Sequence, residues 1–298
     1  MDRFTQKFPS PLPFLSLNRL LRAPLHSDTK EAQLSRQLSP LFSNLGDLIN
    51  LAVGLVLIMV ASACSREPVK ALQPGFSWAE ISADLAYPPF LIDPEIAQFY
   101  RQQGLVSRNA GRFGDAIATL KLAVAMDPYS PEGYVILGWT QHLAGYRNFA
   151  IQTLQRGLKQ APDHVPSLNA LGIVYLVQGE LEAAVVTHTR ALELRRNNEI
   201  AHYNLSLAYE RLADFPKAIH HAQNATELEP QNPHPWVALA LAHWAAGDTT
   251  EAQASYQQSI RLDGRYRHQD YLDHLQEAGF SAEQIQMTDD IRSAGLNP

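Results

Sequence analysis

Histidines are the residues of this chain best suited to metal chemistry, because imidazole nitrogens bind zinc and other divalent metals. The sequence has eleven of them. His220 and His221 are adjacent, so on a helix their side chains diverge by about 100° and cannot both face one ion. His188 and His202 fall where two neighbouring helices would bring them near each other, yet no carboxylate stands at ligand spacing and no H-E-x-x-H motif occurs. The sequence therefore predicts no metal site and no cofactor.

Two other kinds of chemistry are disfavoured by the sequence. The segment "GRFGD" at residues 111–115 has the composition of a phosphate-binding loop but lacks the Gly-Lys-Ser/Thr ending. No arrangement of serine, histidine and aspartate supports a nucleophilic site, so we predict that the chain is not an enzyme. With one cysteine the chain has no internal disulfide. Its net charge of −6 and lack of a long Lys/Arg run argue against nucleic acid as a partner.

The single cysteine, Cys64, follows an uncharged run, "LINLAVGLVLIMVASACS", at residues 48–65. A membrane-spanning helix needs about 20 apolar residues, and the strongly apolar part, 48–60, is shorter than that and suits the core of a signal peptide. The small residues Ala61, Ser62 and Ala63 before Cys64 resemble the lipobox of bacterial lipoproteins. That resemblance implies lipidation of Cys64 after cleavage, and a body tethered to a membrane outside the cytoplasm.

Two alternatives to a lipoprotein signal stay open. Ala61 stands where the lipobox usually has leucine, Asp47 adjoins the apolar run, and 47 residues precede that run. The run also fits an uncleaved signal-anchor, or a core or peripheral helix of a cytoplasmic protein. Basic residues upstream of the run outnumber acidic ones, which favours the N-terminal side staying in the cytoplasm.

From residue 97 the sequence repeats with a period of 34 residues, without insertion, through five units that end at residue 266. Such a period is typical of a solenoid. Each unit has one alanine and one small residue where two helices must approach closely, a turn position that favours glycine, and in three units a proline that ends the second helix. These positions are Ala116, Ala150, Ala184, Ala218 and Ala252; Gly104, Gly138, Gly172, Ser206 and Ala240; Gly111, Gly145, Gly179, Ala213 and Gly247; and Pro128, Pro162 and Pro230.

This pattern resembles the tetratricopeptide repeat. The resemblance implies an all-α fold, a right-handed superhelical α-solenoid of helix-turn-helix repeats with a C-terminal capping helix. Ser281 and Gln284 fit a capping box at the start of that last helix. We predict five regions: a leader that is disordered or belongs to a misassigned start (1–44), a signal peptide or membrane anchor (45–64), a proline-rich spacer and lead-in (65–96), five repeats (97–266), and capping helices with a tail (267–298).

Tetratricopeptide arrays bind ligands on the concave face formed by the first helix of each unit, and this resemblance implies a set of partner-binding residues. Most side chains at those positions are apolar or aromatic, which favours an interaction site. Alternatively, these side chains pack between neighbouring helices, or the C-terminal segment or residues 66–93 fold back onto them. The predicted set is Val135, Trp139, His142, Leu143, Asn169, Ile173, Leu176, Tyr203, Leu207, Val237, Leu241 and Trp244.

The sequence thus predicts a non-catalytic scaffold that binds an apolar or amphipathic segment of a partner protein during assembly of a membrane or envelope complex. The expected partners are a protein or peptide and, through the N-terminal anchor or lipid, a membrane. The alternative is a structural subunit of an envelope complex whose groove is filled by self-association or by its own N-terminal segment. The partner's identity and the oligomeric state are left open.

Overall fold

A computed structural model describes residues 92–296, and these residues form helices joined by short turns. The structure has no β-strand within this range. Eleven α-helices occur here, with two 3₁₀ helices, 264–267 and 269–276, before the last. The α-helices are α1 Pro94–Asn109, α2 Phe113–Met126, α3 Pro131–Leu143, α4 Arg147–Gln160, α5 Val165–Gln178, α6 Leu181–Leu194, α7 Glu199–Arg211, α8 Phe215–Leu228, α9 Pro233–Ala245, α10 Thr249–Leu262 and α11 Ala282–Leu296.

The first ten helices pack as five consecutive pairs, one pair for each predicted 34-residue unit. The second helix of each pair also contacts the first helix of the next. In addition, the first helices α1, α3, α5, α7 and α9 contact one another in succession, which places them in the inner layer of the stack. The prediction of an all-α solenoid of helix-turn-helix repeats is confirmed.

Small residues hold each pair together as the sequence predicts. The five repeated alanines are fully buried. A Cβ atom added to Gly138 would stand 2.7 Å from Cγ of Leu154, and one added to Gly104 would stand 2.5 Å from Cγ of Leu120. Because a methyl group does not fit in that space, glycine at this position lets the two helices pack at close range.

The turn between the two helices of a unit requires a left-handed backbone. The four turn glycines have φ between 75° and 89°, and Ala213, which replaces glycine in the fourth unit, has φ 58°. The segment 111–115 lies at the first such turn, at the start of α2, so its glycines serve the repeat.

Helix α1 begins three residues before the predicted first unit, inside the predicted spacer. Asp93 caps it by accepting a hydrogen bond from the backbone N–H of Ile96 at 2.9 Å, and Pro94 occupies the first turn. A capping aspartate followed by proline is a strong helix start, which explains the earlier boundary.

Past the fifth unit lies the C-terminal segment (residues 268–296). Its first part is the 3₁₀ helix Gln269–Gln276, and the chain then turns at Gly279 with φ 92°. The capping box is confirmed. Ser281 Oγ accepts from the N–H of Gln284 at 3.2 Å, and Gln284 Oε1 accepts from the N–H of Ser281 at 3.0 Å.

Within residues 92–296 no helix combines the length and apolar character needed to cross a membrane. The predicted leader (1–44), the apolar run with Cys64, and the spacer up to residue 91 lie outside the described residues.

Candidate partner-binding site

The structure places most of the predicted concave-face residues inside the protein. Nine of the twelve are buried; His142 and Trp244 are half-buried, and Leu143 is 42% exposed. The buried residues are Val135, Trp139, Asn169, Ile173, Leu176, Tyr203, Leu207, Val237 and Leu241.

In the second and third units, the predicted residues pack between neighbouring helices. Val135, Trp139 and Ile173 form one apolar cluster with Leu154 and Ile200, which joins α3, α4, α5 and the start of α7. This is the inter-helix packing that the sequence left open as an alternative. Trp139 is the largest side chain in the cluster and has 0% exposure.

Asn169 is fixed by a second asparagine. Its amide donates to Oδ1 of Asn198 at 3.2 Å, and the amide of Asn198 donates back at 2.8 Å. Asn198 in turn caps α7 by accepting from the N–H of Ala201. The amide of Asn169 therefore links α5 to the start of the next unit.

In the third to fifth units the concave face is covered by the C-terminal segment. One apolar cluster contains concave-face residues of α5, α7 and α9 together with buried residues of that segment. A simple cap would cover only the last helix pair, whereas this segment reaches residues two units earlier. The concave-face members are Leu176, Tyr203, Leu207, Val237 and Leu241, and the C-terminal members are Leu272, Leu275, Ala278, Phe280 and Ile291.

Polar contacts fix the segment in this position. The hydroxyl of Tyr203 donates to the carbonyl oxygen of Ala278 at 2.8 Å. The side-chain amide of Gln284 donates to the carbonyl oxygen of Leu207 at 3.2 Å and to Oε2 of Glu210 at 2.6 Å. Both N–H groups of Gln284 are thus used on α7, while its oxygen caps α11.

Glu210 and Tyr203 are both buried. Glu210 is 8% exposed, and burial raises the pKa of its carboxyl group, although the Gln284 hydrogen bond and the nearby Arg211 charge act in the opposite direction. Burial also raises the pKa of Tyr203, so its hydroxyl stays protonated and available as a donor.

An open cavity of about 420 Å³ borders the covered part of the face. Its lining comes from both sides, since Glu210, Arg211 and Phe215 belong to the repeats whereas Gln284 and Met287 belong to α11. The C-terminal segment therefore fills the concave face incompletely at this edge.

The histidines form a pair different from the one expected. His202 lies 3.0 Å from His221, between their Nδ1 atoms, and its Nε2 donates to the carbonyl oxygen of Arg196 at 3.1 Å. Since a carbonyl only accepts, Nδ1 of neutral His202 accepts the proton of His221. Burial is the main cause that lowers the pKa of both rings, that of His221 to about 4. Among the described residues, no three histidine, cysteine, aspartate or glutamate side chains are grouped to hold a metal ion.

His188 instead packs against Gly172, whose added Cβ would stand 2.5 Å from its Nε2. The ring is 0% exposed, and neither nitrogen has a hydrogen-bond partner among the described residues. Burial lowers its pKa to about 3, so the ring is neutral in the folded protein.

The predicted set of binding residues omits Glu210, Ala278, Gly279 and Phe280, which also shape this face, although folding back of the C-terminal segment was one of the alternatives left open. The signal for this in the sequence is the apolar content of the segment after the last repeat. A polar cap needs few large apolar side chains, and this segment has Leu272, Leu275 and Phe280.

Comparison with known proteins agrees with this architecture. The family model of the tetratricopeptide repeat matches residues 203–267, which cover the fourth and fifth units. A crystal structure of MamA protein is 24% identical, aligns with 57% of this chain and 93% of that chain, and has a TM-score of 0.50. MamA from Desulfovibrio magneticus RS-1 is 21% identical over 56% of this chain and 95% of that chain, with a TM-score of 0.52. At these identities the likeness concerns the fold.

A human protein, cilia- and flagella-associated protein 70, is 28% identical over 154 residues, which is 50% of this chain. The chain spans only 14% of the length of that relative, so the likeness concerns a small part of that protein. The unbroken 34-residue period, the five helix pairs and the match over 203–267 together show that residues 97–266 form repeats of the tetratricopeptide type.

Proposed function

We propose that the chain is a non-catalytic scaffold that binds an apolar or amphipathic segment of a partner protein during assembly of a membrane or envelope complex. One observation carries the proposal: the concave face already holds a polypeptide, the chain's own C-terminal segment, through an apolar cluster and hydrogen bonds from Tyr203 and to Glu210. A surface that binds one peptide segment by burial and main-chain contacts is suited to bind another.

The accessible part of the predicted site is where a partner makes first contact. Leu143 is 42% exposed at the end of α3, and His142 and Trp244 are half-buried at the ends of α3 and α9. Exposed apolar and aromatic side chains at the ends of inner-layer helices are suitable anchors for an apolar segment.

An affinity experiment tests this role. Leu143→Asp places a charge on the accessible part of the face, and Val186→Asp, at a position 70% exposed on α6, adds the same charge elsewhere. After cross-linking in host cells and affinity purification, we expect Leu143→Asp to lower recovery of a specific partner by about tenfold, about 1.4 kcal/mol. Val186→Asp should match the wild type. Equal recovery with both variants would refute binding at this face.

The proposal includes a membrane tether through Cys64, with the repeats outside the cytoplasm. It is supported by the lipobox-like sequence at residues 61–64. The intact mass of the protein from membranes of its own host tests it. A species beginning at Cys64 with an added lipid mass is expected, and a full-length unmodified mass would instead leave an uncleaved anchor or a cytoplasmic protein.

A second candidate function is a permanent structural subunit of an envelope complex. It is favoured by the burial of nine of the twelve predicted binding residues. The filling segment is C-terminal, which is one of the alternatives that the sequence left open for this face, and is neither the N-terminal segment nor another copy. A subunit should co-purify with its complex at fixed stoichiometry, while a scaffold should be lost from the finished complex.

A further inference from the structure

The strongest unexplained feature of the molecule is how deeply residues 278–284 enter the concave face. A cap needs only to cover α9 and α10, the last helix pair. Here Gly279 lies against Asn204, Leu176 and Leu207, with an added Cβ 3.9 Å from an atom of each. Those residues belong to the third and fourth units, so the segment crosses the inner layer of the stack.

We infer that residues 279–284, "GFSAEQ", are a resident occupant that a partner segment of the same chemistry displaces. That chemistry is glycine and an aromatic residue followed by a helix capped by serine, with glutamine at its third position. The inference rests on the proposed function and deepens it, because it states what kind of segment the concave face takes.

Each part of this motif meets a specific feature of the face. Gly279 has φ 92°, a conformation that side chains rarely adopt, and turns the chain against α7. The ring of Phe280 lies 6.3 Å from that of Tyr203, centroid to centroid, and is 3% exposed. The Tyr203 hydroxyl holds the Ala278 carbonyl, a main-chain contact that any residue at that position would provide.

Gln284 is the most selective contact. It is 1% exposed, and both polar atoms of its amide are engaged. Its Nε2 donates to the carbonyl oxygen of Leu207 and to Oε2 of Glu210, and its Oε1 accepts from the N–H of Ser281. A carboxylate at Glu210 requires a donor opposite it, so the face selects an amide and rejects an acidic side chain at this position.

The structure also offers a route for exchange. The 420 Å³ cavity lies beside Glu210 and Arg211 and is bounded by Ser281 and Gln284 of the resident segment and by Met287 further along α11. A competing segment can enter there and reach the Glu210 contact before the apolar contacts of Phe280 separate. Displacement can thus begin at the hydrogen bond and proceed stepwise.

A charge exchange tests the inference in the full-length protein. Gln284→Glu keeps a residue that suits a capping box but places a second carboxylate against Glu210, which lies 2.6 Å away. Gln286→Glu adds the same charge at an exposed position two residues on. The probe is a fluorescein-labelled peptide of residues 274–292, and the readout is its Kd from fluorescence anisotropy.

We expect the Gln284→Glu protein to bind the peptide about tenfold or more tightly than the wild type does. The reason is that residues 279–284 of this variant compete less well for the concave face. The Gln286→Glu protein should bind the peptide as the wild type does. A peptide with Phe280→Ala should not bind. Adding Glu210→Gln to Gln284→Glu restores a donor–acceptor pair, so the Kd of the peptide should return part of the way to its wild-type value.

Circular dichroism checks that Gln284→Glu keeps its helices, and the Glu210→Gln, Gln284→Glu double variant provides a second protein for the same assay. If neither protein differs from the wild type in peptide affinity, the segment is a fixed cap and the inference is wrong. If the peptide affinities do not differ but Leu143→Asp still lowers recovery of a host partner, the proposed function holds without this inference. Peptide exchange without any host partner would refute the proposed function instead.

Discussion

The second and third repeat units are both pairs of packed helices, but they bury different side chains at one equivalent position. In the second unit, Leu154 fills the space opposite Gly138, whereas in the third unit His188 fills the space opposite Gly172. Both side chains are 0% exposed, but only the histidine brings polar atoms into the interior, without hydrogen-bond partners among the described residues. The comparison shows that the small residues of the repeat determine how the two helices pack, whereas the side chain opposite the first-helix glycine can differ between units.

The two ends of the solenoid also differ, in the exposure of certain aromatic side chains. Near its start, Tyr146 and Phe149 of the second unit are exposed, at 56% and 62%. Toward its end, Tyr203 and Phe280 are buried together because the C-terminal segment covers the inner layer. Tyr203 and Phe280 therefore contribute to stability through burial, whereas Tyr146 and Phe149 contact solvent.

The largest test of this contrast compares two phenylalanines. Phe280→Ala removes a buried ring from the cluster that joins the C-terminal segment to α7 and α9, so we expect a loss of about 3–5 kcal/mol in the free energy of unfolding. Phe149→Ala removes a ring that is 62% exposed and should change it by less than about 0.5 kcal/mol. Urea unfolding at equilibrium measures both. Similar losses would mean that the C-terminal segment contributes little to the stability of the repeats.

The repeats were predictable because their signals are local. The alanine and glycine positions recur every 34 residues and require close helix pairs wherever they occur, and the Ser281–Gln284 box acts within one turn. These features need no knowledge of distant parts of the chain. The structure accordingly agrees with them in all five units.

The covering of the concave face was not predictable in the same way. Periodicity indicates that Tyr203 and Leu207 lie on the inner face but not what packs against them. The hydrogen bonds between this face and the C-terminal segment join residues 74 to 77 positions apart in the chain, such as Tyr203 with Ala278 and Glu210 with Gln284. The segment that makes them has no repeat, so its docking depends on shape and on hydrogen bonds that form only after folding.

A substitution of intermediate effect makes the third unit resemble the second. His188→Leu replaces a buried ring without hydrogen bonds by the residue found opposite Gly138, and we expect stabilisation of about 1–2 kcal/mol at pH 7. The gain should grow in acid. The pKa of His188 is about 3 when folded against 6.5 when unfolded, so the unfolded chain binds the proton and stability falls as pH drops below 6.5.

Replacing His188 removes this dependence, which amounts to about 1.4 kcal/mol for each pH unit between 6.5 and 3. The advantage of His188→Leu over the wild type should therefore be about 2 kcal/mol larger at pH 5 than at pH 7. The reverse change, Leu154→His, is the matched control and should destabilise the second unit more in acid than at neutral pH. A constant difference between pH 7 and pH 5 would show that His188 is protonated in the folded protein.

The smallest test concerns the turn of the fourth unit, the one unit whose turn lacks glycine. Ala213 has φ 58°, whereas the glycines at the same position have φ between 75° and 89°. A left-handed conformation costs a residue with a Cβ roughly 1 kcal/mol, and replacement by glycine removes this cost. Part of the resulting stabilisation is lost, because glycine makes the unfolded chain more flexible. We expect Ala213→Gly to stabilise the protein by about 0.5–1 kcal/mol in urea unfolding. Gly247→Ala, with open space around its added Cβ, is the reverse substitution and should cost a similar amount. If both changes had the same sign, the backbone conformation of the turn would not be what distinguishes the fourth unit from the others.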